Sequence, residues 1–381
     1  MSAIANFLYV PAVFLAVLTI VVFIHELGHF LVARWCGVKI EAFSIGFGKE
    51  IFGWTDRYNT RWRLAWVPLG GYVKFIDDAN AASAPSRESL EGMTSDQRAG
   101  AFQTKPLRHR AAIVAAGPAF NIISAFLIYV MTFWAFGTFG TAAVVDEVLP
   151  GSAAQRAGIQ SGDTITKIED TDITRFSDLQ RIVGQSPGTP LAFTVDRGGR
   201  SYVLTVTPEL REIVDPIGNK LKVGAIGVKR NTSPTNWRQE THSLPQSVVL
   251  AVRETTYVSS QILTAIPKLP GAIVKVFSGQ RQNEIGGPIA IAEMTAHASK
   301  SGAASLLGWM AVFSIMLGIM NLLPIPMLDG GHLLFYAIEG LRGKPLDERK
   351  QELSFKIGMA LLATMMVAAL LGDFMRKLGL G

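Results

Sequence analysis

The 381-residue sequence has few charged residues and almost no cysteine. Charged side chains make up 17% of it, against about 25% in soluble domains, while 49% of the residues are hydrophobic. A disordered chain would need the opposite balance, so the composition indicates a membrane protein. The single cysteine, Cys36, excludes an intrachain disulfide framework and a cysteine-based zinc finger. The net charge of +6 comes without a basic run that is interleaved with aromatic residues, which argues against nucleic-acid binding.

Four apolar segments approach or exceed the length of roughly 20 residues that a helix needs to cross a bilayer. In chain order they are residues 7–24, 111–136, 301–328 and 357–372. The last is the shortest, and Ser354 and Phe355 can extend it at its start. These segments predict an α-helical polytopic membrane protein with four transmembrane helices.

The basic residues predict the orientation of these spans. The first basic residue of the chain is Arg34, which follows the first apolar segment, whereas a secretory signal carries basic residues ahead of its apolar run. Basic residues favour the cytoplasmic side, so the N-terminus is expected outside and Arg34 inside. Four spans then return the C-terminus to the outside, and the basic loop between the third and fourth spans lies inside.

The pattern between the spans divides the chain into four parts. Residues 1–138 contain the first two spans and a β-rich cytoplasmic loop, whose alternation of apolar and polar residues between glycines predicts a hairpin of strands. The rest of this loop, residues 77–105, is rich in Ala, Ser, Asp and Glu and is expected to be flexible. Residues 139–210 predict a compact extracytoplasmic α/β domain, and residues 211–300 a further extracytoplasmic region. Residues 301–381 contain the last two spans.

The pentapeptide His25-Glu26-Leu27-Gly28-His29 directly follows the first apolar run. Histidines four positions apart project from one face of a helix, so that both imidazoles can hold one Zn²⁺. The glutamate between them can take a proton from metal-bound water and pass it to the leaving amine. Ionisable residues at a membrane span are costly and usually functional, so the motif predicts a zinc site rather than a chance pair of surface histidines.

A catalytic zinc site needs a third protein ligand and one open position. Asp329 ends the third apolar run and is the strongest candidate, since Gly330 and Gly331 allow the tightly turned backbone that membranes tolerate only around a protein cavity. His332 is the competing ligand, three residues further on. The other histidines are expected to be ordinary polar residues: His109, His242 and His297.

These motifs resemble those of the site-2 protease family of intramembrane zinc metalloproteases, and in particular its bacterial regulator-of-sigma branch. Three further segments are similar to family motifs, and together with the pentapeptide they cover nearly the whole chain. They are the second-helix segment that runs from Phe102 to Ala116-Gly117-Pro118-Ala119-Phe120-Asn121, the segment Gly286-Gly287-Pro288-Ile289, and the third-helix segment from Asn321 to His332.

The resemblance implies the roles of six residues. His25, His29 and Asp329 correspond to the zinc ligands of the family, and Glu26 to its catalytic base. Asn121 and Asn321 correspond to residues near the active site that hold the substrate or its oxyanion, because a side-chain amide can donate a hydrogen bond to a developing negative charge. For Asn121, polar packing between helices is the alternative interpretation.

The resemblance extends to the parts that would handle a substrate. Residues 144–165 are similar to a bacterial PDZ domain, a fold that binds peptide termini by strand addition, and residues 139–141 lie where its carboxylate-binding loop is expected. The alternative is a size filter that excludes substrates with a large outside domain.

Relatives have a membrane-associated β-hairpin region after the first helix, and residues 45–47 and 69–75 could supply a strand edge for an unwound substrate. A cytoplasmic cap without substrate contact is the alternative there.

We therefore expect a multi-pass zinc metalloendopeptidase of the bacterial inner membrane, with its active site towards the cytoplasmic side. Its reaction would be regulated intramembrane proteolysis of single-pass membrane proteins, with a pre-trimmed anti-sigma factor and remnant signal peptides as candidate substrates. Its partners would be those substrates and the lipid bilayer, with no nucleic acid. An ordinary zinc protease with one membrane anchor would not explain Asp329, and a non-proteolytic PDZ scaffold or chaperone would leave the pentapeptide without a purpose.

Overall fold

Four helices in the described part of the chain are long and apolar enough to cross a membrane: Phe7–Trp35, Leu107–Phe136, Ala303–Asn321 and Arg349–Lys377. They coincide with the four apolar segments, so the prediction of four candidate membrane helices is confirmed. A bilayer offers the backbone no water, and an apolar segment there satisfies its N–H and C=O groups by forming a helix. The first helix continues past residue 24, so that His25 and His29 lie within it.

The structure, a computed structural model, describes residues 3–78, 92–173, 175–214, 220–230, 237–278 and 287–378. The helices are α1 (Ala3–Trp35), α2 (Ser95–Gly100), α3 (Leu107–Phe136), α4 (Ala153–Arg156), α5 (Phe176–Gln185), α6 (Leu244–Ala265), α7 (Leu269–Phe277), α8 (Pro288–Lys300), α9 (Ala303–Asn321), α10 (Asp329–Arg342) and α11 (Glu348–Lys377). The strands are β1 (Ile40–Thr55), β2 (Arg61–Phe75), β3 (Thr138–Thr141), β4 (Val145–Val148), β5 (Thr164–Ile168), β6 (Thr171–Asp172), β7 (Leu191–Arg197), β8 (Arg200–Val206), β9 (Glu209–Val214), β10 (Lys220–Ala225), β11 (Val228–Arg230) and β12 (Trp237–Glu240).

These elements form two units. The helical unit comprises Met1–Thr132, Ser247–Arg281 and Ile285–Leu378, and it contains the pentapeptide and Asp329. The strand-rich unit is built mainly from Phe133–Gln246.

An apolar stripe on α3 is exposed rather than packed against protein. Ile123, Leu127, Met131 and Trp134 are each more than half exposed. Their spacing of four, four and three residues puts them on one face of the helix. A contiguous apolar face of this kind is unfavourable in water, and a lipid environment accounts for it.

The helix α1 packs against different partners along its length. Towards its N-terminus, Val17 and Val21 are buried in one cluster with Phe313 of α9. Towards its C-terminus, Phe30 packs edge-on against Phe43 of β1, with ring centroids 5.4 Å apart. The C-terminal end of α1 is therefore held by the strands that follow it in the sequence.

The predicted hairpin of strands is present and folds back on itself. Ile45 of β1 pairs with Leu64 on one side and with Gly71 on the other, so two parts of β2 flank the first part of β1. The strands can turn this sharply because Gly46 and Gly70 have φ values of 85° and 120°, which residues with a Cβ atom rarely adopt. The part of β2 that begins at Gly71 thus becomes an edge of the sheet next to α1.

One part of the loop that the sequence predicts to be flexible is helical. Residues 79–91 lie outside the described residues, but Ser95–Gly100 forms α2. Thr94 and Gln97 make a reciprocal capping box at its start, which satisfies free N–H groups of the first turn. The expectation of a flexible segment is therefore wrong for these residues, because amino-acid composition alone does not reveal a helix-capping box.

The strand-rich unit contains a four-stranded antiparallel sheet in the order β6–β5–β7–β8. Its core buries Ile165, Phe193 and Val206 from the sheet and Leu179 from α5. Ile226 belongs to the same core, and β11 next to it pairs with β4, so residues after 210 also contribute to this unit. The remaining pairs are β9 with β10 and β3 with β12.

An ion pair with a buried carboxylate links the residue before β5 to the last residue of β7. Asp163, whose side chain is completely buried, accepts hydrogen bonds from Arg197 Nε at 2.7 Å and from Arg197 Nη2 at 2.8 Å. Burial raises the pKa of the Asp163 carboxyl, but the bonds from Arg197 and from the backbone N–H of Gln160 outweigh it and leave the pKa below its usual value. The ionised carboxylate therefore stabilises the folded unit.

We predict that Asp163→Asn lowers the free energy of unfolding of this unit at pH 7 by about 2 to 3 kcal/mol, because a neutral amide loses the charge-assisted bidentate pair. The advantage of the wild type is present above the ordinary aspartate pKa of about 3.9 and is lost as pH falls through the lowered native value. Thermal unfolding of the full-length protein at pH 7 and at pH 3 measures both effects. Glu147→Gln breaks the exposed pair with Lys229 and serves as control, with an expected change below about 1 kcal/mol. Equal destabilisation by Asp163→Asn at the two pH values would contradict this assignment.

Candidate metal centre

Two histidines of α1 present nitrogen atoms to the same point. His25 and His29 are one helical turn apart, and their Nε2 atoms are separated by 3.2 Å. Both rings lie in the interior of the helical unit, and His25 is 7% exposed. Two imidazole nitrogens this close cannot both carry protons, so at least one lone pair faces the gap between them.

Asp329 completes a group of three ligand atoms. Its Oδ2 atom lies 3.1 Å from His25 Nε2 and 3.6 Å from His29 Nε2. In a tetrahedral zinc site with bonds of about 2.0 to 2.2 Å, two ligand atoms are roughly 3.3 to 3.6 Å apart. The three measured separations, 3.1, 3.2 and 3.6 Å, lie within about 0.2 Å of that range, so the residues fit a zinc ion.

The Asp329 carboxylate provides a second indication. Its Oδ2 atom is buried, and no group in the described part of the chain makes a hydrogen bond of good geometry to it. A buried carboxylate oxygen without a partner is costly in a native structure. A cation held between this oxygen and the two imidazoles would satisfy it.

The backbone before Asp329 differs from the sequence prediction. The third span was expected to run to Asp329, but α9 ends at Asn321 and Asp329 is the first residue of α10. Pro324 and Pro326 explain the difference, since proline lacks the N–H group that a continuing helix needs. Gly331 then packs so closely on the Ile325 carbonyl that an added Cβ atom would overlap it. The close turn places Asp329 opposite α1.

The helix α3 supports the histidines from the other side. At Gly117, an added Cβ atom would overlap His29 Nε2 and lie 2.8 Å from His25 Cε1, so only glycine leaves room for the two rings. The Ile113 carbonyl lies 2.8 Å from His29 Nδ1. Because a carbonyl oxygen only accepts, Nδ1 carries the proton and Nε2 keeps its lone pair for a metal. Pro118 removes one helical hydrogen bond at this turn, because it has no N–H group to donate to the Val114 carbonyl.

Glu26 lies against the edge of the β-hairpin. The backbone N–H of Val73 in β2 lies near its carboxylate. At Gly71, an added Cβ atom would come within 3.1 Å of Glu26 Cγ and 2.8 Å of the Ser44 carbonyl oxygen. The strand therefore passes directly beside the residue that the sequence predicts to be the base.

Both predicted asparagines face His25. Asn121 is completely buried, and its Nδ2 atom lies 3.2 Å from His25 Nδ1. Asn321 Nδ2 lies 3.5 Å from His25 Nε2, on the side of the metal group. His332, the competing ligand, is outside the group of three, and its ring packs against Phe355 with centroids 5.5 Å apart.

The metal group opens into a cavity of about 940 Å³. The same cavity is lined by an ion pair between Arg110 of α3 and Glu339 of α10, which the sequence analysis did not predict. The two side chains form two hydrogen bonds of 2.5 and 3.3 Å, and both are more than four-fifths buried. The sequence contains one indication of this ion pair. Arg110 is a charged residue at the start of an apolar span, and a charge in that position requires a partner.

The chain is similar to known metalloproteases over most of its length. A model described as peptidase family M50 matches residues 13–365. The chain is 43% identical over 362 residues to a Brucella suis protein named "Putative zinc metalloprotease", with 94% of this chain and 93% of that protein covered. It is 36% identical to metalloprotease MmpA of Caulobacter vibrioides, with 97% and 96% covered. It is 31% identical to the regulator of sigma-E protease RseP of Salmonella typhimurium, with 96% and 98% covered.

We predict that Asp329→Asn lowers zinc affinity by more than roughly 100-fold, beyond the 10- to 100-fold typical of groups that only support a ligand. The substitution leaves two strong protein ligands, too few for a tight catalytic site. His332→Ala is the matched control, since His332 lines the same cavity without belonging to the group, and it is expected to keep the metal. Zinc analysis of the two purified variants decides. Zinc loss in His332→Ala together with retention in Asp329→Asn would reverse the assignment.

Proposed function

This chain belongs to peptidase family M50 and is a zinc metalloprotease, and from that premise we propose that it cleaves peptide bonds within the membrane. One observation carries the proposal. The candidate ligand group joins α1, a helix apolar enough to span a bilayer, to the first residue of α10, which follows the turn after a second such helix, α9. A protease with a single membrane anchor would have no reason to build its site between two spans.

The proposed roles of the residues follow from their positions. His25, His29 and Asp329 hold the zinc ion, which when bound supplies a polarised water and a Lewis acid for the scissile carbonyl. Glu26 accepts a proton from the attacking water and delivers it to the leaving amine nitrogen. The Val73 N–H of β2 lies beside this carboxylate. Asn321, on the metal side of His25, is placed to donate a hydrogen bond to the developing oxyanion.

The edge of β2 gives an unwound substrate a place to bind. A transmembrane helix satisfies its own backbone, so it must exchange those hydrogen bonds for others before a peptide bond becomes accessible. The β2 edge from Gly71 onward lies beside Glu26 and could pair with an extended segment by strand addition. We therefore favour a substrate-binding role for this membrane-associated hairpin over that of a passive cap.

For the substrates, we propose single-pass membrane proteins. A relative that is named for the regulation of sigma-E suggests a pre-trimmed anti-sigma factor as one of them, and remnant signal peptides fit the same requirement for one apolar helix. A non-proteolytic scaffold is the alternative, and it would leave the buried metal group without a use.

For the strand-rich unit, we propose an extracytoplasmic PDZ domain over residues 139–210, followed by an extracytoplasmic region to residue 300. Its small antiparallel sheet flanked by α5 is compatible with this fold. We favour a role as a size filter, because residues 139–141 already pair with Trp237–Glu240 of the same chain, which occupies one edge of that strand.

Proteolysis itself is tested with Glu26→Gln. The variant is expected to keep its zinc and to cleave a model transmembrane substrate at least about 100-fold more slowly, because the amide cannot accept a proton. A zinc chelator should stop the wild type, and added zinc should restore it. Zinc-loaded Glu26→Gln with near-normal turnover would refute the role of Glu26. A wild type that keeps cleaving after complete zinc removal would refute the mechanism.

The proposed orientation places α2 in the cytoplasm and the strand-rich unit outside, with both termini outside. Single thiols introduced by Gly92→Cys and Ser201→Cys, each in a Cys36→Ala background, test it in intact cells. Both positions are exposed in the structure. A membrane-impermeant maleimide should label Ser201→Cys at least about 10-fold more than Gly92→Cys, and lysis should equalise the two. The reverse pattern would invert the topology.

A further inference from the structure

The side-chain amide of Asn121 has a nitrogen next to His25 and a buried oxygen without a hydrogen bond. Its Nδ2 atom points at His25 Nδ1 from 3.2 Å, while its Oδ1 atom is buried and has no hydrogen-bond partner among the described residues. An orphaned amide oxygen in a completely buried side chain is costly.

The position of His25 Nε2 determines whether Nδ1 must donate or accept a hydrogen bond. His25 Nε2 faces Asp329 and His29, on the side where the ligand atoms converge. An imidazole that binds a metal through Nε2 carries its proton on Nδ1, which makes Nδ1 a donor. A donor cannot bond to the NH₂ group of an amide, so Nδ1 requires an oxygen at that position.

A half-turn of the amide about its last side-chain bond removes the mismatch with His25 without moving any carbon atom. It places Oδ1 about 3.2 Å from His25 Nδ1, where it accepts the proton, and moves the NH₂ group to the position at which the oxygen has no donor. We propose that Asn121 is a positioning residue, whose carbonyl oxygen accepts the His25 Nδ1–H and turns Nε2 towards the zinc. The inference rests on the proposed zinc site, and it replaces the expectation that Asn121 stabilises the oxyanion.

The backbone around Asn121 is fixed in a way that suits this role. Ser314 of α9 donates a hydrogen bond of 2.9 Å to the Asn121 carbonyl oxygen. At Gly318, also on α9, an added Cβ atom would lie 3.2 Å from Asn121 Cβ, so the two helices are in close contact there. His29 already has its counterpart on α3, the Ile113 carbonyl. The helix α3 thus orients both histidines of α1.

Two substitutions distinguish the three roles that Asn121 could have. Asn121→Asp keeps an oxygen acceptor and loses the NH₂ donor, whereas Asn121→Leu keeps the size and loses both. For a positioning acceptor, Asn121→Asp holds zinc with near wild-type affinity and stays active, while Asn121→Leu binds zinc roughly 10- to 100-fold more weakly. For an oxyanion donor, both variants keep zinc affinity and lose kcat. For helix packing alone, thermal stability changes and zinc affinity does not.

The experiment measures zinc affinity of the purified full-length protein by competition with a chromophoric chelator, alongside the visible absorption of Co²⁺-loaded protein and kcat. Thr132→Ala is the matched control, because it removes a buried polar side chain of α3 that bonds to the Ile128 carbonyl oxygen and lies eleven residues from Asn121, and its zinc affinity is expected to be unchanged. Unchanged zinc affinity and Co²⁺ spectrum in folded Asn121→Leu would overturn the inference. If Asn121→Leu does not fold, the loss of activity in zinc-loaded Asn121→Asp overturns it, and retained activity supports it. Failure of the wild type to bind zinc would instead refute the proposed function.

Discussion

The close approach of α1 and α3 is the constraint on which the metal group depends. At Gly28 of α1, an added Cβ atom would lie 2.5 Å from the Ala116 carbonyl oxygen and 2.9 Å from Phe120 Cβ. At Gly117 of α3, it would overlap the imidazole of His29. In a membrane, where apolar burial between helices gains little, such small residues are what allow close packing. Without them, the polar groups of α3 would be out of reach of the histidines.

The turn between α9 and α10 meets a second constraint. Irregular backbone is tolerated at membrane depth only where protein or a water-filled cavity surrounds it. Here the turn borders the cavity that holds the metal group, and its Met327 adopts a φ of 86°, an uncommon conformation for a residue with a Cβ atom. Strain of this kind persists only when the surroundings hold it in place, and the glycines that follow Asp329 supply that close packing. The turn therefore lacks the hydrogen bonds of a regular helix, and its shape places the Asp329 carboxylate beside the histidines.

The sequence predicts which side chains meet at this site better than it predicts the architecture around them. His25, Glu26 and His29 can be read from helical spacing, and Asp329 from a carboxylate at the end of an apolar run. The start of α10 at Asp329 and the fold-back of β2 onto β1 could not be read in this way, because they depend on contacts between segments far apart in the chain. The role of Gly117 could not be predicted either. A glycine in a helix indicates close packing, but the sequence does not show which residue packs against it.

The ion pair between Arg110 and Glu339 connects α3 with α10. Arg110 lies on α3 three residues before Ile113, and Glu339 lies on α10 ten residues after Asp329. The helix that orients the histidines is thereby joined to the helix that carries the third ligand by a bidentate, largely buried pair. Removing one partner of such a pair would leave an uncompensated charge, so the two helices are expected to move as one body. The helix α3 contributes no residue to the candidate metal group, and yet it contacts both histidines directly and is joined by this ion pair to the helix that begins at Asp329.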